Sequence, residues 1–306
     1  MQSVEKLDLK LKQYNAQYRI VSSNHLSELQ EEIEDLNRKG KINPEIYNSN
    51  ITTFQYTLPD SNNSTRSLIV IAIPQKISIV VFKLNGKNVK TIIPPTYLFS
   101  KVRRKCIGIL SEVFGNKIEI IRAMLPLKLL AARSGLGRYG RNHLCYVDDM
   151  GSFTRLEAFF IQYETDRDDW QHKEMLQNCE NCNKCVLNCP TQCIKNKEFN
   201  NKVLIIEAGR CITHYNENEG AFPPELHTGA HTALVGCIKC QVVCPVNHPY
   251  LKEKAIIETF TEEETDLILE NKLDASEAIS DKLKNMDMDE YQPVFSRNLK
   301  ALIQHK

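Results

Sequence analysis

Apolar positions recur at helical spacing early in the chain, at Leu26, Leu29, Ile33 and Leu36, and predict helix across residues 1–45. Residues 46–66 are rich in Asn, Ser and Thr and read as a loop. The pattern then turns to continuous apolar runs. SLIVIAIP (67–74) suits a buried strand, while ISIVVFKL and KNVKTII flank Asn85-Gly86. Both turn residues accept the positive φ of a type I′ turn, so this segment predicts a hairpin. Residues 96–114 predict a helix, KIEII (117–121) a strand, and LPLKLLAARSG (125–135) a short helix stopped at Gly135. LCYV (144–147) and SFTRLEAFFIQY (152–163) predict further strands. Residues 1–165 are therefore expected to form an N-terminal α/β sheet domain. Next comes the polar stretch ETDRDDWQHKE, read as a linker into a cysteine-rich module spanning 166–250. Residues 251–306 predict a tail of helices in LKEKAIIETF, EEETDLILENKL and the last segment. The expected class is α+β.

Charge narrows the partners. The 39 basic and 38 acidic residues leave a net charge of +1, which gives no general reason to expect a polyanion such as RNA. No stretch approaches the ~20 apolar residues of a membrane span, and MQSVEKLDLK has no apolar signal core. A cytoplasmic protein is expected.

Cysteine changes the picture. Of 11 cysteines only Cys106 and Cys145 precede residue 179, and the rest fall between 179 and 244. Thiols bunched this way in a cytosolic chain point to metal rather than disulfides. The first run is Cys179-x-x-Cys182-x-x-Cys185-x-x-x-Cys189-Pro190; the second is Cys237-x-x-Cys240-x-x-x-Cys244-Pro245, with Cys211 upstream. Thiolates two residues apart on a tight loop reach several corners of one iron–sulfur cube, and the cysteine before proline ligates the other cube. That logic gives Cys179, Cys182, Cys185 and Cys244 to one [4Fe–4S] cluster, and Cys189, Cys211, Cys237 and Cys240 to the other. Structural zinc prefers two separated pairs, which suits a triple run followed by Cys-Pro poorly. Cys106, Cys145 and Cys193 are left as small buried hydrophobes.

Gly135-x-Gly137-x-x-Gly140 matches a dinucleotide fingerprint, but a helix precedes it and a strand-like run follows, the reverse of what that site needs. Three glycines still permit close approach of something flat, or simply a helix stop and a turn. His227 and His231 are four apart with Gly229 between them and read as a loop pair without metal.

SGLGRYGRN (134–142), GSF (151–153), the first cysteine run, RCIT (210–213), EG (219–220) and GCIKCQVVCPVN (236–247) occur in the same order as in the epoxyqueuosine reductases, which this chain resembles over roughly residues 65–250. Those are cobalamin-dependent iron–sulfur enzymes related to reductive dehalogenases. The resemblance implies a corrinoid-domain-like sheet domain and a ferredoxin-like double-cluster module, with cobalamin held near Gly135, Gly137, Gly140, Asn142, His143 and Cys145. It also implies an external donor of the ferredoxin or flavodoxin type. The family's proton-donating aspartate falls here on Ala123, which cannot donate; Tyr139 and Asp148 are the substitutes to consider. The longer reductases add helical repeats associated with tRNA, and only about sixty residues follow the module here. The leading expectation is thus a corrinoid-dependent reductase acting on a small-molecule or protein acceptor, with tRNA set aside. An electron-transfer or activator protein is second, and an epoxyqueuosine reductase acting on tRNA is third.

Overall fold

The computed structural model describes residues 2–59, 67–115, 118–163, 165–195, 205–224 and 226–304. In chain order the elements begin α1 (Gln2–Lys12), β1 (Gln17–Ser22), α2 (Leu26–Arg38), α3 (Pro44–Asn50), β2 (Ser67–Pro74), β3 (Ile77–Leu84) and β4 (Lys87–Ile93). Then follow α4 (Ser100–Phe114), β5 (Ile120–Arg122), α5 (Leu127–Arg133), β6 (Arg138–Tyr139), β7 (Cys145–Tyr146) and β8 (Thr154–Ile161). The remainder is α6 (Lys184–Leu187), α7 (Ile212–Glu217), α8 (Lys239–Val242), β9 (Lys254–Phe260), α9 (Glu262–Leu269), α10 (Glu277–Asn285) and α11 (Gln292–Ile303). Two compact units result. The first is built mainly from residues before 75 and from 100–182, the second from 75–99, 183–195 and 207 onward.

In the first unit an antiparallel sheet runs β1-β2-β8-β5. The continuous apolar run of β2 is explained by burial on both faces. Leu68, Val70 and Ala72 join α2 and α5 in one core. Ile69, Ile71 and Ile73 join α1 and α4 in another. Alternate residues of a strand point to opposite faces, so both must be apolar when helices cover both. α4 supplies Val102, Cys106, Ile109, Leu110 and Val113 as its buried stripe. One charge is carried into this layer: Glu157 of β8 is 1% exposed and is met by Arg155 at 3.0 Å and Arg103 at 3.2 Å, with Arg122 at 3.9 Å.

The second unit joins the hairpin to the C-terminal segment. β3 and β4 pair antiparallel around Asn85 and Gly86, whose φ values of 50° and 71° fit the predicted turn. β9 adds to β3 in parallel. Phe82, Phe260 and Phe295 centre the core that α9, α10 and α11 complete, with the Phe82 and Phe260 rings stacked at 4.9 Å. α9 starts with a capping box of Thr261 and Glu264, which satisfies two otherwise orphaned backbone donors.

Four expectations need correction. The helix predicted across 1–45 is interrupted by β1, where Tyr18, Ile20 and Val21 are buried against β2. Residues 44–50 are helix rather than loop, because Asn43 caps the N–H of Ile46 and Pro44 fits the first turn; residues 60–66 of that expected loop lie outside the described residues. The helix expected in LKEKAIIETF is strand β9. The expected linker is packed on the first unit: Asp169 exchanges hydrogen bonds with Ile20, and Trp170 stacks on His25 at 4.3 Å. The three-part division at 165 and 250 therefore differs from the observed units, since the hairpin at 77–93 shares its core with the tail.

Candidate iron–sulfur site

Each cysteine run is built as a loop that opens a one-turn helix and ends at proline. Cys185 lies on α6 and Cys240 on α8, and these two short helices pack together in the second unit. Pro190 and Pro245 follow the last cysteine of each run and cannot continue a helix. RCIT has a different shape: Cys211 is the extended residue that caps α7, so its side chain stands at a helix start. Gly236, at φ +71°, lets the second run turn. A Cβ there would meet the Tyr97 hydroxyl at 2.3 Å, so only glycine fits.

A network of neutral amides fixes these loops. Asn216 on α7 is fully buried and donates to the Gly236 carbonyl at 2.8 Å, and its side-chain oxygen faces His231 Nδ1 at 3.1 Å. Asn298 on α11 donates to the carbonyls of Asn216 and Leu234 at 2.8 and 2.9 Å. Arg297 donates to the Tyr215 carbonyl at 2.7 Å. Backbone carbonyls that no strand or helix satisfies are thereby paired, as buried groups must be. Beside them Tyr97 hydrogen-bonds Glu217, whose carboxyl is pushed up by burial despite that bond.

In the second set, Cys189, Cys211 and Cys237 lie near one another, with Cys193 among them. Cys189 and Cys193 bring their sulfurs to 3.4 Å, and Cys193 also hydrogen-bonds Cys211. The hydrogen bond from Cys193 lowers the Cys189 thiol to about 5, against the opposing effect of burial. Thr232 approaches the Cys237 sulfur at 3.8 Å. Cys193 is buried, as expected, and the Cys189 and Cys211 thiols are among its neighbours. Among the described residues no three His, Cys, Asp or Glu groups converge as on a single ion. Ligands of a cube stand apart around it, and a thiol-rich pocket of this kind fits a cluster better than tetrahedral zinc.

In the first set, Cys179 is buried and is touched by the glycine loop. The backbone N–H of Arg141 donates to the Cys179 sulfur at 3.4 Å, and the Arg141 guanidinium donates to the Cys179 carbonyl at 2.8 Å. Hydrogen bonds to a ligating sulfur tune a cluster's potential. Arg141, Asn216 and Asn298 escaped the sequence reading. The only signal was a polar residue inside or beside a motif, and nothing distinguishes such a residue from a solvated one until burial is known.

The glycines themselves close on the protein. A Cβ at Gly135 would strike Gln171 at 2.1 Å, one at Gly137 the Cys145 sulfur at 2.5 Å, and one at Gly140 the Tyr146 ring at 2.4 Å. Asn142 is buried against the Tyr146 hydroxyl at 3.0 Å, Cys145 sits in the apolar core, and His143, at φ +60°, stacks on Tyr139. The three glycines are thus packed against Gln171, Cys145 and Tyr146. Ala123 is buried in the same core. Of its expected substitutes, Tyr139 is 4% exposed with its hydroxyl pushed up by burial, and Asp148 is exposed and paired with Arg138.

Residues 178–247 match the family described as the 4Fe-4S double cluster binding domain. Among curated proteins, the epoxyqueuosine reductase of Lactococcus garvieae is 32% identical over 118 residues, which are 39% of this chain and 31% of the relative. That of Pseudomonas aeruginosa is 28% identical over 186 residues, 60% of this chain and 47% of the relative. The chain thus spans under half the length of these relatives. The epoxyqueuosine reductase structure from Streptococcus thermophilus superposes with a TM-score of 0.66 at 18% identity, covering 99% of this chain and 81% of that one. A structure of an epoxyqueuosine reductase with a tRNA-Tyr epoxyqueuosine-modified stem loop gives 0.67 at 17%, with the same coverage. The chain is epoxyqueuosine reductase-like in sequence and fold. The expectation that set tRNA aside stands against that last structure, in which a protein of this fold holds a tRNA stem loop. No helix among the described residues is long and apolar enough to cross a membrane.

Proposed function

We propose that this chain is an iron–sulfur reductase acting on epoxyqueuosine in tRNA, the reading that ranked third on sequence alone. Cys179, Cys182, Cys185 and Cys244 hold one [4Fe–4S] cluster; Cys189, Cys211, Cys237 and Cys240 hold the other. Bound clusters supply single electrons, delivered by a donor of the ferredoxin or flavodoxin class. Removing an epoxide oxygen as water takes two electrons and two protons, so two one-electron centres match the demand. The protein's own part is to hold eight thiolates and to tune the first cluster through the Arg141 N–H. The observation that carries this reading is the fold match to epoxyqueuosine reductases over 99% of the chain, with the cysteine runs, RCIT and the glycine loop in their order.

Ala123 favours a second reading, an electron-transfer protein that passes its electrons to a partner, because a buried alanine at the acid position donates no proton. One experiment separates them. Anaerobically reconstituted protein is reduced and given epoxyqueuosine-containing tRNA, and queuosine is measured. Conversion is expected, slowed by about 10²–10⁴ relative to a reductase with a positioned acid. Full cluster reduction with no queuosine would leave the electron-transfer reading in its place.

A further inference from the structure

Cations crowd the start of α4 in the first unit. Lys101, Arg103, Arg104 and Lys105 lie within Ser100–Lys105, and the first turn holds no acid. Positive side chains there oppose the helix's own positive end, and Lys101 stands one turn from both Arg104 and Lys105, a like-charge spacing that weakens a helix. The only carboxylate of α4, Glu112, lies near its other end and is taken by Lys10 at 2.6 Å.

Two more guanidiniums join from the sheet. Glu157 gives one oxygen to Arg155 at 3.0 Å and the other to Arg103 at 3.2 Å. Both oxygens are then engaged, and Arg122 on the edge strand β5 comes no nearer than 3.9 Å. Among the described residues Arg122 has no other ion-pair partner. Burial, and after it the Arg103 charge, holds Arg122 below the usual guanidinium range. One arginine would neutralise Glu157, so the group carries surplus positive charge. Arg122 keeps 38% of its side chain in water, and Lys101 and Arg104 are exposed. Lys105 sits over the Tyr14 ring at 4.4 Å rather than on a carboxylate. Glu119, immediately before β5, is the nearest acid to Arg122 along the chain and does not offset this set.

We propose that this basic surface, from the start of α4 to the edge strand β5, grips the phosphate backbone of the RNA substrate. It rests on the reading that the chain acts on tRNA. A net charge of +1 supplies no general attraction for a polyanion, so a local surface has to supply it. An RNA backbone carries a charge at every nucleotide, which suits cations spread over a helix and a neighbouring strand. Such contacts position RNA without reading its sequence.

Anaerobically reconstituted protein is titrated into a fluorescent RNA stem loop at several salt concentrations. Beside it run Arg122→Gln, the double variant Lys101→Gln/Arg104→Gln, and a charge-matched control in the second unit, Lys83→Gln/Lys87→Gln. Each phosphate contact removed should lower the slope of log K against log salt by about 1. Arg122→Gln should therefore lose about 1 and the double patch variant about 2, for stem loops of any sequence, while the control keeps the wild-type slope. Unchanged iron content reports that each variant has folded. Wild-type slopes in both patch variants would overturn the surface and leave the tRNA reading in place. A control that weakens as much as the patch variants would reduce the effect to bulk charge and overturn it equally. Polyglutamate competing charge for charge as well as RNA would assign the surface to an acidic protein instead. A wild type with no affinity for RNA at low salt would defeat the tRNA reading itself.

Discussion

The two units bury their polar groups in opposite ways. The first sets one carboxylate, Glu157, among three arginines in an otherwise apolar layer, and its sheet is covered on both faces by helices. The second suspends its cysteine loops from neutral amides, Asn216 and Asn298, and from a hairpin-and-helix core. A hydrophobic sandwich is complete once folded. The cysteine loops are held by a small set of side-chain hydrogen bonds and bring thiols face to face. Six of the eight proposed ligands lie in the second unit and only Cys179 and Cys182 in the first, so metal should matter more to the second.

The largest effect follows from removing iron. Chelation under oxidising conditions should strip amide-exchange protection from residues around α6, α7 and α8, while β2 and β8 keep theirs, because metal binding is coupled to local folding. Hydrogen exchange followed by mass spectrometry reads both regions in one sample. Equal loss in β2 would mean that the sheet also depends on the clusters and would erase the contrast.

Next in size is Glu157→Ala, which leaves three guanidinium groups facing one another around a buried void. Breaking a buried ion pair by removing one partner costs about 3–5 kcal/mol. Arg103, Arg122 and Arg155 keep partial access to water and will relax outward, so the lower end is expected. Denaturant unfolding should show the loss, with iron content unchanged. A variant that loses iron instead would tie this charge cluster to the module.

Asn298→Ala should come third. It orphans the carbonyls of Asn216 and Leu234, both buried, at about 1–3 kcal/mol. Its distinguishing outcome is faster iron release from the second cluster, measured by chelator competition, with the first cluster's release rate unchanged.

This third prediction marks where the sequence was legible and where it was not. Local signals read well: Asn85-Gly86 is the hairpin, Gly135 at φ +67° ends α5, and the cysteine runs lie in the matched cluster domain. Non-local pairing did not. Ala255, Ile256 and Ile257 carry a pattern that suits a helix as readily as a strand, and only the distant β3 decides it. Tyr18, Ile20 and Val21 were absorbed into a flanking helix for the same reason. In the site, spacing exposes thiols because cysteine is chemically unmistakable, but Arg141 and Asn298 act through burial, which spacing does not encode. The glycines show the converse error. Their freedom was legible, but what they approach, Gln171, Cys145 and Tyr146, was not.

The smallest expected effect is an absence of reaction, and it tests the same contrast on one residue type. Cys106 and Cys145 lie in the apolar cores of the first unit, and burial pushes each thiol from about 9 up to about 12. A folded-state value above the unfolded one contributes stability that is fully present below pH 9 and is lost as pH rises toward 12. At pH 8 both thiols are neutral, inaccessible and poor nucleophiles, so iodoacetamide should leave them unmodified in the folded protein. In the cluster-free protein Cys189, held near 5, is already a thiolate at that pH and should be alkylated first. Peptide mass mapping of the two samples orders the sites. Labelling of Cys106 or Cys145 before Cys189 would mean that the sheet unit opens more readily than the emptied module, and the opposition between a self-sufficient core and a metal-dependent one would be the wrong description of this fold.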